Sequence, residues 1–236
     1  MSNDWFQFRK FLIRQDQSAM KVGTDGVLLG AWADCEKCRS VLDIGTGTGL
    51  IALMIAQRNP EAVIDALEID ADAARQAGEN IAASLWADRV RVDKANFLTW
   101  KWDREGQFNL IICNPPFFTR SLKNPDIQRA AARHDDDLPL GPLIIKSAEL
   151  LSSDGKLAMI LPITRVEEAM MTANVNGLFL YRQLNIRGNA RAPFKRALME
   201  WGWESRAAEI GELVIETMER GAYTEEYKRL TGAFYL

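Results

Sequence analysis

The run Asn114-Pro115-Pro116-Phe117 can grip a planar group that carries an amine. It follows an apolar stretch, Phe108 to Cys113, that reads as a buried strand. Two adjacent prolines cannot continue a sheet, since neither has an N–H to donate. The strand must stop there and present an Asn amide, free carbonyls and an aromatic ring at its carboxyl end. An exocyclic ring amine is a poor nucleophile, because its lone pair is delocalised. The Asn114 side-chain oxygen and the Pro115 carbonyl can each accept one amine hydrogen, which favours a pyramidal nitrogen. Positive charge develops on that nitrogen as it attacks, so the two acceptors stabilise the transition state more than the ground state. Phe117 can stack on the ring, worth about 1–3 kcal/mol for a nucleobase.

A second motif is Asp43-Ile44-Gly45-Thr46-Gly47-Thr48-Gly49. It follows the short apolar run Val41 to Ile44 and opens an apolar helical stretch, Leu50 to Gln57. Glycines permit positive φ and let a ligand approach the backbone. The following helix N-terminus favours a carboxylate or phosphate. The spacing is GxGxG, not the GxGxxG of the dinucleotide fingerprint. Asp43 would repel a pyrophosphate but could hydrogen-bond an ammonium or a ribose. That turns the expected ligand from a dinucleotide to a nucleoside carrying an amino acid. Glu68 closes the next apolar run and can accept ribose hydroxyls, while Asp70 reads as a helix cap. Asn96 could pair with an adenine edge, since its amide both donates and accepts; turn chemistry is the competing reading.

These residues need a scaffold that brings several strand ends to one edge. Val41–Ile44, Ala62–Glu68, Arg89–Val92, Phe108–Cys113 and Lys156–Leu161 read as strands. Helical spacing lies between them, over Leu50–Gln57, Ala71–Leu85 and Leu138–Leu151, and again at Arg165–Ala173. In Ala71–Leu85 one face carries Ala74, Ala77, Ile81 and Leu85. Leu178–Ile186 and Ala197–Trp203 read as a final antiparallel pair. Strands alternating with helices predict an α/β fold with a doubly wound, mostly parallel, seven-stranded sheet ending in that pair. Right-handed crossovers then set the ends of the first, second and fourth strands along one edge. Before this core, Phe6, Phe8, Phe11 and Ile13 alternate with polar residues as a strand or extended arm. Thr24 or Asp25 is expected to cap a helix over Val27–Trp32. Residues 119–137 read as a long polar loop, and 204–236 as an acidic tail ending in a helix over Thr224–Thr231.

The chain has 236 residues and a formal net charge of -3, so a global basic field is absent and nucleic acid could be held only by local patches. Arg182, Arg187, Arg191, Lys195 and Arg196 form one candidate patch, with no Asp or Glu from Tyr181 to Met199. Arg9, Lys10, Arg14 and Lys21 form another; ordinary solvated charge is the competing reading of both. Three cysteines, Cys35, Cys38 and Cys113, suit a reducing cytosol rather than a disulfide framework. With one histidine, His134, they leave no ligand to spare for a closed four-ligand zinc site, and no metal is expected. Met1 to Lys10 hold no apolar leader, and no apolar run approaches a bilayer span. A cytoplasmic protein without a membrane partner is expected.

The glycine loop, Glu68 and Asn114-Pro115-Pro116-Phe117, in this order, resemble the S-adenosylmethionine-dependent methyltransferases of Rossmann-like fold. With Lys21-Val22-Gly23-Thr24-Asp25-Gly26 running on to Trp32, and Gly221 to Tyr227 near the end, the chain resembles the bacterial tRNA1(Val) adenine-37 N6-methyltransferases along nearly its whole length. The resemblance implies S-adenosyl-L-methionine as cofactor and an adenine of a valine tRNA as substrate; no obligate protein partner is evident in the sequence. Carried over by position, Asn114, Pro115 and Phe117 would be catalytic. Gly45, Gly47 and Gly49 would line the methionine part of the cofactor, Thr24 would face its carboxylate, and Asp43, Glu68 and Asn96 would complete its site. Relatives often carry Asp where this chain has Asn96. With tRNA as substrate, Arg187, Arg191, Lys195 and Arg196 of the first basic patch are the expected RNA contacts, read from their charge. The implied plan is a single methyltransferase domain over 1–236: an extension over 1–38 packing on the cofactor site, a core over 39–204 and a tail over 205–236. The residues by themselves also admit an rRNA guanine, a DNA adenine or a protein glutamine as the amine. A nucleotide-dependent oxidoreductase or a non-catalytic module is a further reading, but neither has a use for the Asn-Pro-Pro corner.

Overall fold

The structure is a computed structural model that describes residues 3–18, 21–102, 108–116 and 138–236. Its centre is a parallel sheet of β3 (Ser40–Ile44), β4 (Val63–Glu68), β5 (Val90–Lys94), β6 (Phe108–Cys113) and β7 (Leu151–Pro162). β4 and β6 flank β3, with β5 outside β4 and β7 outside β6. Chain direction along the sheet therefore reverses between β3 and β6, the position at which such sheets open a crevice beyond their carboxyl ends. Register brings those ends level: Ile44 lies opposite both Leu67 and Cys113.

The inner strands β3 and β6 are apolar runs because both faces are covered. Val41, Leu110, Ile112, Ala158 and Ile160 join one buried cluster with α1 (Thr24–Trp32) and α2 (Leu50–Arg58). Leu42, Ile44, Ile111, Cys113 and Met159 join the other, with α4 (Leu140–Leu150) and α5 (Val166–Val175). The two sets alternate along each strand, as the pleat requires.

Beyond β7 the sheet continues antiparallel through β9 (Arg196–Gly202) to β8 (Phe179–Arg187). The expected α/β fold and final antiparallel pair are present. Among the described residues, however, the main sheet has eight strands rather than seven. The eighth, β10 (Glu209–Val214), runs parallel to β8 inside the expected acidic tail. Glu209 and Glu212 masked it in the sequence; as an edge strand it can keep them in water while Leu213 is buried.

The helix α3 (Ala71–Ala82) ends earlier than expected. The Ser84 hydroxyl donates to the Ile81 carbonyl and accepts the Trp86 N–H, which ends the helix, and Leu85 is left 77% exposed instead of joining the apolar face. The arm at the start is a hairpin of β1 (Trp5–Gln7) and β2 (Leu12–Arg14). Phe8 stacks on Phe11 and on Tyr235, with ring centroids 4.7 and 5.9 Å apart. The end of the chain thus packs back on its beginning, after α6 (Glu225–Thr231), which Thr224 caps by accepting the Tyr227 N–H.

Candidate active site

The glycine loop takes its shape from its backbone. Gly45, Gly47 and Gly49 have φ of 69°, 59° and 83°, a region costly for any residue with a Cβ. A Cβ at Gly45 or Gly47 would meet nothing within 4 Å, so both present bare backbone to a cleft. Gly49 differs: a Cβ there would lie 3.6 Å from Ala77, and it is not a lining residue. It serves the packing of α2 on α3.

The cleft has a volume of about 390 Å³, within the roughly 300–1,000 Å³ of small-molecule sites. It lies between Lys21–Gly26, the loop Gly45–Thr48, the start of α2, Asn114–Pro115 and Arg196. Thr24 and Asp25 do not cap α1 as expected. Gly23 is the N-cap, with no side-chain bond, and Thr24 and Asp25 are the first two helical residues. The amides of Thr24, Asp25 and Gly26 therefore have no intrahelical acceptor, and these three residues line the cleft. The amide groups and helix dipole favour an anion there. Asn114 and Pro115 stand on the other side, at the end of β6.

Asp43 and Glu68 sit behind the loop rather than in the cleft lining. Asp43 is wholly buried; its Oδ2 accepts the Thr46 hydroxyl (2.5 Å) and the Ala52 N–H (3.2 Å), while Oδ1 has no partner. Burial, with a smaller push from the Glu68 carboxylate against the two hydrogen bonds, moves its pKa up to about 7. Glu68 accepts the Gly47 N–H at 2.8 Å and the Asp70 N–H at 3.0 Å, one on each oxygen. Each oxygen retains a lone pair for a ligand hydroxyl. Asp70 caps α3 as expected, accepting the N–H groups of Asp72 and Ala73. Asn96 makes a turn: its Oδ1 accepts the Leu98 N–H at 2.9 Å. Phe117, His134 and the 119–137 loop lie outside the described residues.

The candidate RNA residues divide in two. Arg187 is tied to Glu212 at 2.9 Å and lies over the Phe194 ring, and Arg196 is tied to Asp25 at 2.7 Å. Neither is an unencumbered surface cation. Arg191 and Lys195 are exposed, on the β8–β9 connection next to Arg196. Burial pushes the Cys35 thiol up, Cys38 up to about 12 and Cys113 well above its ordinary value, which keeps all three from acting as thiolates near neutral pH. Among the described residues no three His, Cys, Asp or Glu side chains gather as a metal cluster, and no helix is long and apolar enough to cross a membrane.

Two residues that carry the site have no motif. Asn80, buried in α3, donates to the Arg14 and Thr48 carbonyls and accepts the Arg14 N–H, all at 2.9 Å, joining the hairpin to the glycine loop. Arg58 donates to the Gly30 and Ala33 carbonyls and secures the end of α1. A polar residue on the inner face of α3 was the only available signal for Asn80.

Residues 21–179 match the model of the methyltransferase small domain family. The tRNA1(Val) (adenine(37)-N6)-methyltransferase of Parabacteroides distasonis is 44% identical over 236 residues, covering 100% of this chain and 99% of its own. Its namesake in Trichodesmium erythraeum is 42% identical over the same shares. The chain belongs to this methyltransferase family. The members' fold recurs more widely. A structure from Agrobacterium tumefaciens, described as a predicted O-methyltransferase, superposes with a TM-score of 0.69 at 20% identity, over 89% of this chain and 96% of that one. A TehB-like S-adenosylmethionine-dependent methyltransferase from Corynebacterium glutamicum gives 0.52 at 15%, over 77% and 89%. At such identities the likeness concerns the fold alone.

Proposed function

We propose that this chain methylates N6 of adenine 37 in tRNA1(Val), with S-adenosyl-L-methionine as methyl donor. The observation that carries the reading is the meeting of Asn114–Pro115 with the glycine loop and the open end of α1 around one cleft, in a chain whose relatives of that name match it end to end. When bound, S-adenosyl-L-methionine supplies an activated methyl on its sulfonium. The residues present suit it: the α1 amides offer an anion site for its carboxylate, with Thr24 at the entrance. Gly45 and Gly47 give bare backbone along the amino-acid part, Gly49 holds the loop's curve, and Glu68 has capacity for ribose hydroxyls. Asp43 braces the loop from behind, and Asn96, by its place just after β5, is the candidate for the cofactor's adenine edge.

The Asn114 Oδ1 and the Pro115 carbonyl accept the two hydrogens of the adenine amine and aim its lone pair. Phe117, by its place in the motif, stacks on the base. The cationic product amine is acidic enough to lose its proton to water, so no strong base is required of the chain. The adenine must leave its stack to reach the cleft, which costs less in a single-stranded loop than in a duplex. Arg191 and Lys195, on the connection that leads from β8 to the cleft-lining Arg196, suit the phosphates of the anticodon arm. The chain works as one methyltransferase unit over 1–236, in the cytoplasm and without an obligate protein partner.

Labelled methyl transfer onto total RNA, DNA and protein from a strain lacking this protein, followed by nucleoside mapping of the RNA, tests the proposal. N6-methyladenosine at position 37 of tRNA1(Val) is expected. Label in ribosomal RNA, DNA or a protein glutamine instead would overturn it.

A further inference from the structure

The cleft contains a charge that opposes the ligand proposed for it. Asp25 lies in the first turn of α1, whose amides are the natural seat of a carboxylate. An anion docking there meets a carboxylate of the protein, and like charges at such range repel. The repulsion has a counterpart on the far side of the cleft. Arg196, the first residue of β9, donates from Nε to Asp25 Oδ2 at 2.7 Å and from Nη1 to the Lys195 carbonyl at 3.2 Å. Both side chains are about one-third exposed, and both residues line the cleft. The pair spans 171 positions of sequence, so it closes the cleft wall between the first helix and the outer strands.

We propose that Arg196 is a positioning residue for the amino-acid end of the methyl donor, an inference that rests on the function proposed above. By pairing with Asp25 it neutralises the acid and keeps the α1 amides available to the donor's carboxylate. Asp25 in turn holds the guanidinium at the cleft. The role is electrostatic and local to one end of the ligand, so it is separable from the shape of the nucleoside end.

Calorimetric titration of the full chain with two ligands tests this. S-Adenosylhomocysteine carries the amino-acid tail; 5′-methylthioadenosine has the same nucleoside and thioether without it. Arg196→Met should weaken S-adenosylhomocysteine by about tenfold, equivalent to about 1.4 kcal/mol, and leave methylthioadenosine within about twofold. Adding Asp25→Asn to Arg196→Met should restore the first affinity to within about threefold, and Asp25→Asn alone should bind no more weakly than wild type. Equal losses for both ligands, or no restoration in the double variant, overturn the inference while leaving the proposed function standing. A wild-type chain that binds no S-adenosylhomocysteine overturns both.

Discussion

Replacing Asp43 by Asn should change how stability depends on pH more than it changes stability itself. The carboxyl is wholly buried, has one oxygen without a partner, and titrates at about 7 instead of an ordinary 3.8. Its folded pKa is raised, so the native state keeps a proton that the unfolded chain releases near pH 4. The unfolded state then binds fewer protons, and stability falls as pH rises. This contribution is fully present below about pH 4 and is lost as pH climbs to about 7. Each pH unit in that window is worth about 1.4 kcal/mol, so wild type should lose about 3 kcal/mol between about pH 5 and about pH 8 from this group alone. The side-chain amide of the Asp43→Asn variant can still accept from Thr46 and Ala52 through its oxygen and does not titrate. Urea unfolding of both proteins across that range isolates the term. With a slope near 3 kcal/mol per molar, the wild-type midpoint should fall by about 1 M relative to the variant. A difference between the two proteins that stays constant with pH would refute the reasoning, since it would mean the carboxylate is ionised in the fold throughout.

Asn114→Ala should lower transfer by about a hundredfold or more, the scale of losing one aimed polar group in a transition state, while S-adenosylhomocysteine affinity stays within about threefold; a matching loss of affinity would contradict the division of the cleft. Arg182→Met leaves Glu200 buried without its cation, to which Arg182 Nη2 now donates at 2.8 Å, and with only the Asp34 N–H at 3.1 Å still donating to it. Chemical denaturation should register a loss of about 3 kcal/mol, and a loss below about 1 would show that water compensates the acid. Reversing Arg191 and Lys195 to Glu should weaken tRNA binding and flatten its dependence on salt, and an unaltered salt slope would remove these two residues from the interface.

The site's local grammar was legible in the sequence, and its long-range pairing was not. Asn114, Gly45, Gly47 and Glu68 could be placed because each follows a short apolar strand, and strand ends in an alternating α/β chain fall on one edge. Asp70 could be assigned as a cap because capping is decided within three residues. Arg187 and Arg196 looked like open cations because no acid stands near them in the chain; their acids, Glu212 and Asp25, arrive from β10 and α1. The expected cap at Thr24 failed for a related reason. Its hydroxyl is a good capping group, but Gly23 already takes the extended conformation of the N-cap, which moves Thr24 one position into the helix. The eighth strand was hidden because edge strands need not look apolar.

Gly26 accounts for the closeness of the cleft's two halves. A Cβ there would lie 3.2 Å from Leu50 Cδ2, at the start of α2, and 3.9 Å from Asn114 Nδ2, at the end of β6. One missing side chain thus lets the open N-terminus of α1, the helix that follows the glycine loop and Asn114 approach one another. The separation of roles follows from that geometry. In the proposed function the donor's seat would be built from backbone amides and glycines, which can hold a ligand of fixed shape without side-chain rearrangement. The acceptor's grip would there be a single side-chain oxygen and one proline carbonyl, a proline having no N–H that could compete for the base. A methyl transfer needs only that these two sets be held in fixed relation. The sheet supplies that relation through the parallel register of β3 and β6, in which Asp43 lies opposite Ile112 and Ile44 opposite Cys113.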